Sequence, residues 1–391
     1  MAGSPNQSVT QGAEHYQCWD VSAGFDVTYR VIWTEGVLRT SNPLLLQLGA
    51  IENNSHTEDR GRRLVFVENE VFRFYSGDIN RFFCAEGSRI VVLSVTEKTK
   101  NLRMVERAVE HMTQFGINRR SEPVIAIGGG CLLDAVGFAA SIYRRHVPYV
   151  RVPTTLLGIV DAGIGVKTGV NFGLHKNRIG SYCAPVAAVL DPTFLGTLPK
   201  RHIRNGLAEV LKMAIVSDIT LFQILESHAS DLVESCATSS PVSREIIHLS
   251  IQRMLDELEP NLWEHDLYRV VDFGHTFSPV IEMLKLESLL HGEAVAIDMC
   301  ISTVIAARRN LIDAAAADRI IALTQRMGLP IINSDCTAAN LQTALDDVVR
   351  HRDGLQRIAV PTAIGDATFL NDVSLQEVVG ACEHLLRRSL R

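Results

Sequence analysis

The sequence predicts an α/β N-terminal domain with a mostly parallel sheet, followed by an all-α C-terminal domain. Three observations carry that reading. The chain has 391 residues, enough for two domains at roughly 150 residues each. Of its 27 glycines, 20 precede residue 200 and 7 follow it. In the first half short β-branched runs alternate with helix-like stretches, whereas apolar residues in the second half recur at three- and four-residue spacing.

Residues 1–15, rich in small and polar side chains, predict a disordered tail, 16–199 the α/β domain and 200–391 the helical one. The runs Leu64–Val67, Ile90–Val95, Val124–Ile127 and Val147–Val152 read as strands, and Asn101–Phe115 and Leu132–Tyr143 as intervening helices. That alternation is the signature of a parallel sheet. Beyond Pro199, Leu207–Leu232, Ser243–Leu258 and Gly292–Arg309 each have helical periodicity, and the Ser/Thr-rich Cys236–Ser243 reads as disordered. Nothing repeats at a solenoid period.

Composition narrows the function. With 47% hydrophobic and 21% charged residues, the chain is neither disordered nor fibrous. Its 38 basic and 44 acidic residues give a net charge of −6, so nothing draws it to polyanions and no nucleic-acid partner is expected. Small phosphorylated ligands remain open. The eight cysteines are scattered without a CxxC pair and read as reduced, mostly buried thiols. The N-terminal segment lacks the pattern of a signal peptide, and no uncharged apolar run reaches membrane-spanning length. A cytoplasmic protein with no membrane partner is expected.

Several segments can carry chemistry. The strand Pro123–Ile127 runs into Gly128-Gly129-Gly130 and then an apolar helix containing Asp134. Glycines at a strand-to-helix turn let backbone N–H groups approach a pyrophosphate, although the same pattern also serves as a tight turn. Asp134 reads equally as a structural acid of the first helical turn. After Val152-Pro153-Thr154-Thr155-Leu156, Asp161 stands in an apolar run where an unpaired carboxylate is costly. Lys167, Asn171, Lys176 and Asn177 follow in a glycine-rich stretch that reads as a polar loop around an anion or as a solvated surface loop. Glu209 and Lys212 share one helix face and form either an internal ion pair or part of a ligand site. His275 follows an apolar segment and a glycine, and His291 opens a long helix. Glu209, His275 and His291 together are a donor set that suits Zn²⁺ with an open position. Their separations of 66 and 16 residues require three helices to converge.

The runs GGGCLLDAVGFAA, VPTTLLGIVDAGIGVKTGVN, LHKNRIG, DPTFLGTLP, NGLAEVLKMAI, GHTF and LLHGEAV, in this order across residues 60–365, resemble the dehydroquinate synthase-like sugar phosphate cyclases. The resemblance implies an N-terminal NAD-binding domain, a helical domain that binds metal and substrate, a Zn²⁺ or Co²⁺ ion in the cleft between them, and a homodimer. It places Glu209, His275 and His291 as metal ligands. Glu68, Glu97, Lys100, Gly129, Gly130, Asp134, Thr154, Thr155, Thr197 and Leu198 fall at NAD-binding positions. Asp161, Lys167, Lys176, Asn177 and Lys212 fall where the family grips substrate hydroxyls and phosphate, and Arg145 where an arginine reaches the neighbouring subunit's phosphate.

Departures from dehydroquinate synthases bear on the reaction. Pro279 replaces their second histidine, Asp272 an asparagine, Tyr268 an arginine and Met254 a lysine, and no lysine follows Lys285. These losses disfavour a seven-carbon acid and favour a neutral sugar phosphate. The patterns ELEPNLWE, DFGHTFSP and LLHGEAV resemble the 2-epi-5-epi-valiolone synthases, which cyclise sedoheptulose 7-phosphate. The implied route is transient oxidation by NAD⁺, phosphate elimination, re-reduction, ring opening and intramolecular aldol closure, with Asp272 and Pro279 shaping where the open chain refolds. Desmethyl-4-deoxygadusol synthases use the same substrate but carry GHTW and HGH where this chain has Phe277 and Glu293. A metal-dependent polyol dehydrogenase and a non-catalytic sugar-phosphate sensor are the readings from other classes.

Overall fold

The structure, a computed structural model, describes residues 26–48, 61–235 and 240–390; the tail expected over 1–15 lies outside them. In the first half, β1 (Arg30–Trp33) and α1 (Leu44–Gln47) precede β2 (Leu64–Glu68), α2 (Asn69–Phe82), β3 (Arg89–Leu93), α3 (Leu102–Phe115), β4 (Val124–Gly128), α4 (Gly130–Ile142) and β5 (Tyr149–Pro153). A hairpin, β6 (Lys167–Phe172) and β7 (His175–Tyr182), separates these from β8 (Ala187–Leu190). Six strands pair in the order β1-β8-β5-β4-β2-β3, all parallel. The β-branched runs form strands because both faces of the sheet are covered, so every residue of β4 and β5 is buried. Alternate residues serve opposite faces. Leu64 and Phe66 pack with α3 and α4, while Val65 and Val67 pack with α2.

From β2 the chain crosses to β3 on one side and then returns to β4 on the other. The reversal leaves a crevice beyond the carboxyl ends of β2 and β4, where open α/β sheets bind ligands. Glu68 ends β2 there, and Gly128 ends β4, with Gly129 and Gly130 leading into α4.

The second half holds α5 (Lys200–Ser217), α6 (Ile219–Glu234), α7 (Pro241–Leu258), α8 (Ser278–Leu284), α9 (His291–Arg308), α10 (Ala314–Arg326), α11 (Ala338–His351) and α12 (Leu375–Ser389). Residues Ala294–Ala306 of α9 are buried on every side, so this helix is the axis of the layer. A two-stranded hairpin, β9 (Ile358–Ala363) with β10 (Asp366–Leu370), is an addition to the helices expected. Among the described residues no helix is long and apolar enough to cross a membrane.

Three local expectations are corrected. Leu207–Leu232 is two helices, because the extended backbone of Asp218 ends α5 while its side chain caps α6 through Leu221 N at 3.0 Å. The stretch 167–177 is not a loop but most of the β6–β7 hairpin, in register Lys167↔Tyr182. Its glycines allow the strands to approach, since a Cβ on Gly180 would lie 2.1 Å from Thr168 O. Within Cys236–Ser243, Ser240 caps α7 and Pro241 starts it, leaving only 236–239 outside the described residues. All six described cysteines are free thiols, of which Cys183, Cys300 and Cys382 are buried and Cys84 is exposed.

Candidate active site

A cleft of about 1220 Å³ is lined by the carboxyl end of the sheet, the β6–β7 hairpin and helices of the second half. It exceeds the ~300–1,000 Å³ typical of a site for one drug-sized ligand. Glu68, Gly129, Gly130, Cys131 and Asp134 line the sheet side. A Cβ on Gly128 would lie 2.7 Å from Leu132 Cδ2 and 2.9 Å from Glu68 Cβ, so the turn closes only with glycine. No side chain caps α4. Its first N–H groups are therefore available to an anion.

Beside that turn lies a buried polar cluster. Lys100, 3% exposed, donates to Asp134 Oδ2 at 2.6 Å and to Asn177 Oδ1 at 2.7 Å. Burial alone would discharge its ammonium, but Asp134 and Glu97 outweigh burial and raise its pKa. Glu97 accepts from Asn171 Nδ2 at 2.8 Å and Cys131 Sγ at 3.0 Å. Although burial raises the Glu97 carboxyl, Lys100 and Lys176 hold it below the usual range. Asp134 is thus the partner of a lysine rather than a first-turn acid.

Across the cleft, Glu209 on α5 meets His275 and His291. One donor atom from each lies within 4.8 Å of the others. Glu209 Oε1 is 3.2 Å from His291 Nε2 and 3.9 Å from His275 Nε2. Lys212 Nζ approaches Oε2 at 2.5 Å, yet neither buried Glu209 oxygen makes a hydrogen bond of acceptable geometry. A buried carboxylate with incompletely satisfied oxygens beside two imidazoles fits a divalent cation. Burial and Lys212 push His275 down to about 3, so it presents a neutral imidazole. Burial and Lys176 also disfavour charge on His291, but Glu282 and Glu209 win and raise it to about 9. Glu282, which the sequence reading missed, sits behind His291, its Oε2 being 2.9 Å from Nδ1 and 2.6 Å from Lys176 Nζ. A carboxylate behind a histidine fixes which nitrogen faces a metal.

The substrate-side residues approach this centre from two directions. Asp161 Oδ2 stands 3.8 Å from Lys212 Nζ, and burial raises its carboxyl despite that lysine. Arg151, fully buried on β5, donates to the carbonyls of Ala162, Gly165 and Lys167 at 3.2, 2.6 and 2.7 Å. It thereby fastens the segment between Asp161 and Lys167 to the sheet. Lys167 pairs with Glu264, which also accepts from Tyr182 Oη at 3.0 Å and lies 2.7 Å from Arg269 Nη1. Arg269 reaches Asp272 at 3.2 Å and Arg352 reaches it at 3.7 Å. Burial opposes ionisation of Asp272, but Arg269 and Arg352 hold its carboxyl below the usual range.

These positions revise the inferred loss of positive charge. Tyr268 is 44% exposed, stacks edge-on with Phe369 and lies outside the cleft, whereas the adjacent Arg269 lines it. Arg178, Arg350 and His351 line it too. Pro279 and Met254 line the cleft as uncharged replacements. Phe277 and Glu293 do not: Phe277 is buried core, and Glu293 binds Arg201 and the amide of Leu290. Five expected site residues also stand away from the cleft lining, the first being Glu209, which is buried against the two histidines that do line it. Thr154 lies buried behind the cleft with its amide on Gly128 O, and Thr197 ends the turn Pro192–Thr197, its Oγ1 meeting Tyr75 Oη at 3.1 Å, with Leu198 next in the chain. Arg145 is exposed beyond α4 with φ of 62°.

Comparison with known proteins places this geometry. Residues 90–205 match the 3-dehydroquinate synthase N-terminal family model and 206–350 the C-terminal one. A 2-epi-5-epi-valiolone synthase from Actinomyces sp. is 48% identical, the match covering 94% of this chain and 97% of that protein. The solved structure of ValA, a 2-epi-5-epi-valiolone synthase from Streptomyces hygroscopicus subsp. jinggangensis 5008 with NAD⁺ and Zn²⁺ bound, superposes with a TM-score of 0.89 at 44% identity, covering 95% of this chain and 100% of that one. A demethyl-4-deoxygadusol synthase from Trichormus variabilis is 36% identical over 91% of this chain and 87% of its own length. With both family domains in order and a relative nearly half identical along almost its whole length, the chain belongs to the dehydroquinate synthase-like family of sugar phosphate cyclases.

Proposed function

We propose that this chain is a carbon–oxygen lyase that cyclises sedoheptulose 7-phosphate to 2-epi-5-epi-valiolone and releases inorganic phosphate. One observation carries the reading: two imidazoles that meet a buried carboxylate line the same cleft as an uncapped, glycine-led helix N-terminus. The likeness to the 2-epi-5-epi-valiolone synthases supports it.

Glu209, His275 and His291 would hold Zn²⁺ or Co²⁺, and Glu68, Glu97, Lys100, Gly129, Gly130, Asp134 and Thr155 would hold NAD. When bound, the pair supplies a reversible hydride sink and Lewis acidity toward an alcohol oxygen. Lys176 and Lys212 stay charged, because Glu282 and Glu209 respectively outweigh the burial that would neutralise them. They therefore grip the phosphate and hydroxyls without acting as bases, together with Asp161, Lys167 and Asn177. The base next to the leaving group is one of the phosphate's own oxygens, which takes the C–H proton as the C–O bond to phosphate breaks. Asp272 and Pro279 bound the space in which the opened chain refolds. Thr154, Thr197 and Leu198 support the cofactor wall from behind.

The same reading divides the chain into 16–199 and 200–391 and makes it a cytoplasmic homodimer, in which exposed Arg145 reaches the neighbouring site. A polyol dehydrogenase has no use for the lysines gathered here, since its substrate bears no phosphate.

The test supplies sedoheptulose 7-phosphate with NAD⁺ and Zn²⁺ and follows inorganic phosphate, NADH and, by mass and NMR, the product. Phosphate release without net NADH, yielding 2-epi-5-epi-valiolone, is the expected result. Steady NADH accumulation, or a deoxygadusol product, overturns it. His275→Ala is expected to lose metal and turnover while staying folded, and a metal-free, active variant refutes the ligand assignment.

A further inference from the structure

Helix α9 begins with His291 and carries Asp298 two turns later. Asp298 is fully buried, and its Oδ2 accepts the backbone N–H groups of Phe277 and, at 2.8 Å, Ser278, while Oδ1 lies 3.3 Å from Ser302 Oγ. Those two amides close the loop Phe273–Ser278, which contains His275. The loop lies flat on α9: a Cβ on Gly274, where φ is 77°, would meet Met299 Cγ at 2.8 Å and Val295 Cγ1 at 2.9 Å. Ser278 Oγ donates to Gly274 O at 2.6 Å and fastens one end of the loop to the other.

At the start of α9, Gly292 N donates to Asn205 Oδ1 at 2.6 Å. Asn205 is on α5, one turn before Glu209. One helix is thereby hydrogen-bonded at its start to the element bearing Glu209 and further along to the loop bearing His275, and it carries His291 itself. Packing does not explain an aspartate there. A buried carboxylate is costly unless donors are aimed at it, and these donors belong to the histidine loop.

We propose that Asp298 is a positioning residue, which through the amides of Phe277 and Ser278 sets where His275 stands relative to Glu209 and His291. This rests on the reading of those three residues as cation ligands, and it concerns affinity for the ion rather than the reaction.

The probe is Zn²⁺ alone, titrated against a chromophoric chelator, with NAD⁺ binding and thermal midpoint measured on the same samples. Asp298→Ala is expected to weaken Zn²⁺ binding by roughly 10- to 100-fold, the range for partners that orient metal ligands, while NAD⁺ affinity holds. Val304→Ala, a cavity in the same helix, is expected to lower the midpoint and leave Zn²⁺ affinity at the wild-type value. Asp298→Asn keeps one oxygen for the amides, so its Zn²⁺ affinity falls between wild type and alanine and its Co²⁺ absorption band shifts. Wild-type Zn²⁺ affinity in Asp298→Ala overturns the proposal, as does an equal loss in Val304→Ala. If Asp298→Ala does not fold, an Asp298→Asn protein with unchanged Zn²⁺ affinity and an unchanged Co²⁺ band overturns it. Failure of the wild-type protein to bind Zn²⁺ sinks the ligand reading instead.

Discussion

Replacing Lys100 by methionine removes the ammonium that sits between Asp134 and Asn177 and close to Glu97, while keeping a side chain of similar length. Asp134 then loses its cation, and Glu97 keeps only Lys176. Removing one partner of a buried pair costs about 3–5 kcal/mol. Asp134 retains 17% exposure and Glu97 keeps its bonds from Asn171 and Cys131, which puts the expected cost at the low end. A loss of about 3 kcal/mol shrinks the folded-to-unfolded ratio by roughly a hundredfold. The pH dependence gives the cause a signature. In the wild type Lys100 contributes to holding Glu97 below its unfolded value of 4.5, so that stabilisation is present above 4.5 and is lost as pH falls through the folded value. The Lys100→Met deficit, read from urea unfolding followed by circular dichroism, should therefore be large near neutrality and contract as pH falls below 4.5 and through the folded value of Glu97. Adding Asp134→Asn should recover part of it near neutrality. A deficit under about 1 kcal/mol, the scale of an exposed ion pair, or one that ignores pH, refutes the argument.

Two further outcomes follow from packing and charge. Gly292→Ala would place a Cβ 2.0 Å from Asn205 O and 3.0 Å from Ala208 Cβ, forcing α9 away from α5; thermal unfolding should report a loss of at least the ~1–3 kcal/mol usual for overpacking, together with weaker Zn²⁺ binding. Glu377 is held at about 2, first by the Arg309 hydrogen bond, so its stabilisation is present above 4.5 and disappears as pH falls toward 2. Because the side chain is 34% exposed and its ion pair is screened by solvent, Glu377→Gln should cost no more than about 1 kcal/mol near neutral pH and nothing in strong acid, as chemical denaturation at the two extremes would show.

The strands of the sheet are legible in the sequence because a doubly covered parallel sheet demands apolar residues at every position, and Val124–Gly128 shows that pattern in full. The glycine turn is legible for a related reason: Leu132 and Glu68 crowd Gly128 so closely that no other residue fits. The hairpin at 167–182 is not, because polar side chains that serve the cleft interrupt the alternation by which a strand is recognised. Likewise Asp218 gives no warning inside an apolar periodic run that it both ends one helix and caps the next. Glu282 and Arg269 escape notice because an acid on a short helix and an arginine in a loop look solvated until their neighbours are known.

Residue types and order fix the succession of an α/β half and a helical half, the uncapped helix start and the inventory of one carboxylate, two imidazoles and several lysines, since each follows from local spacing or from motifs read along the chain. Partnership is a different matter. That Lys100 neutralises Asp134, that Glu282 backs His291, and that Phe277 and Glu293 turn away from the cleft while Arg269 turns into it are decided only when distant segments pack. Electrostatic energy depends on separation and burial, and a linear sequence contains neither.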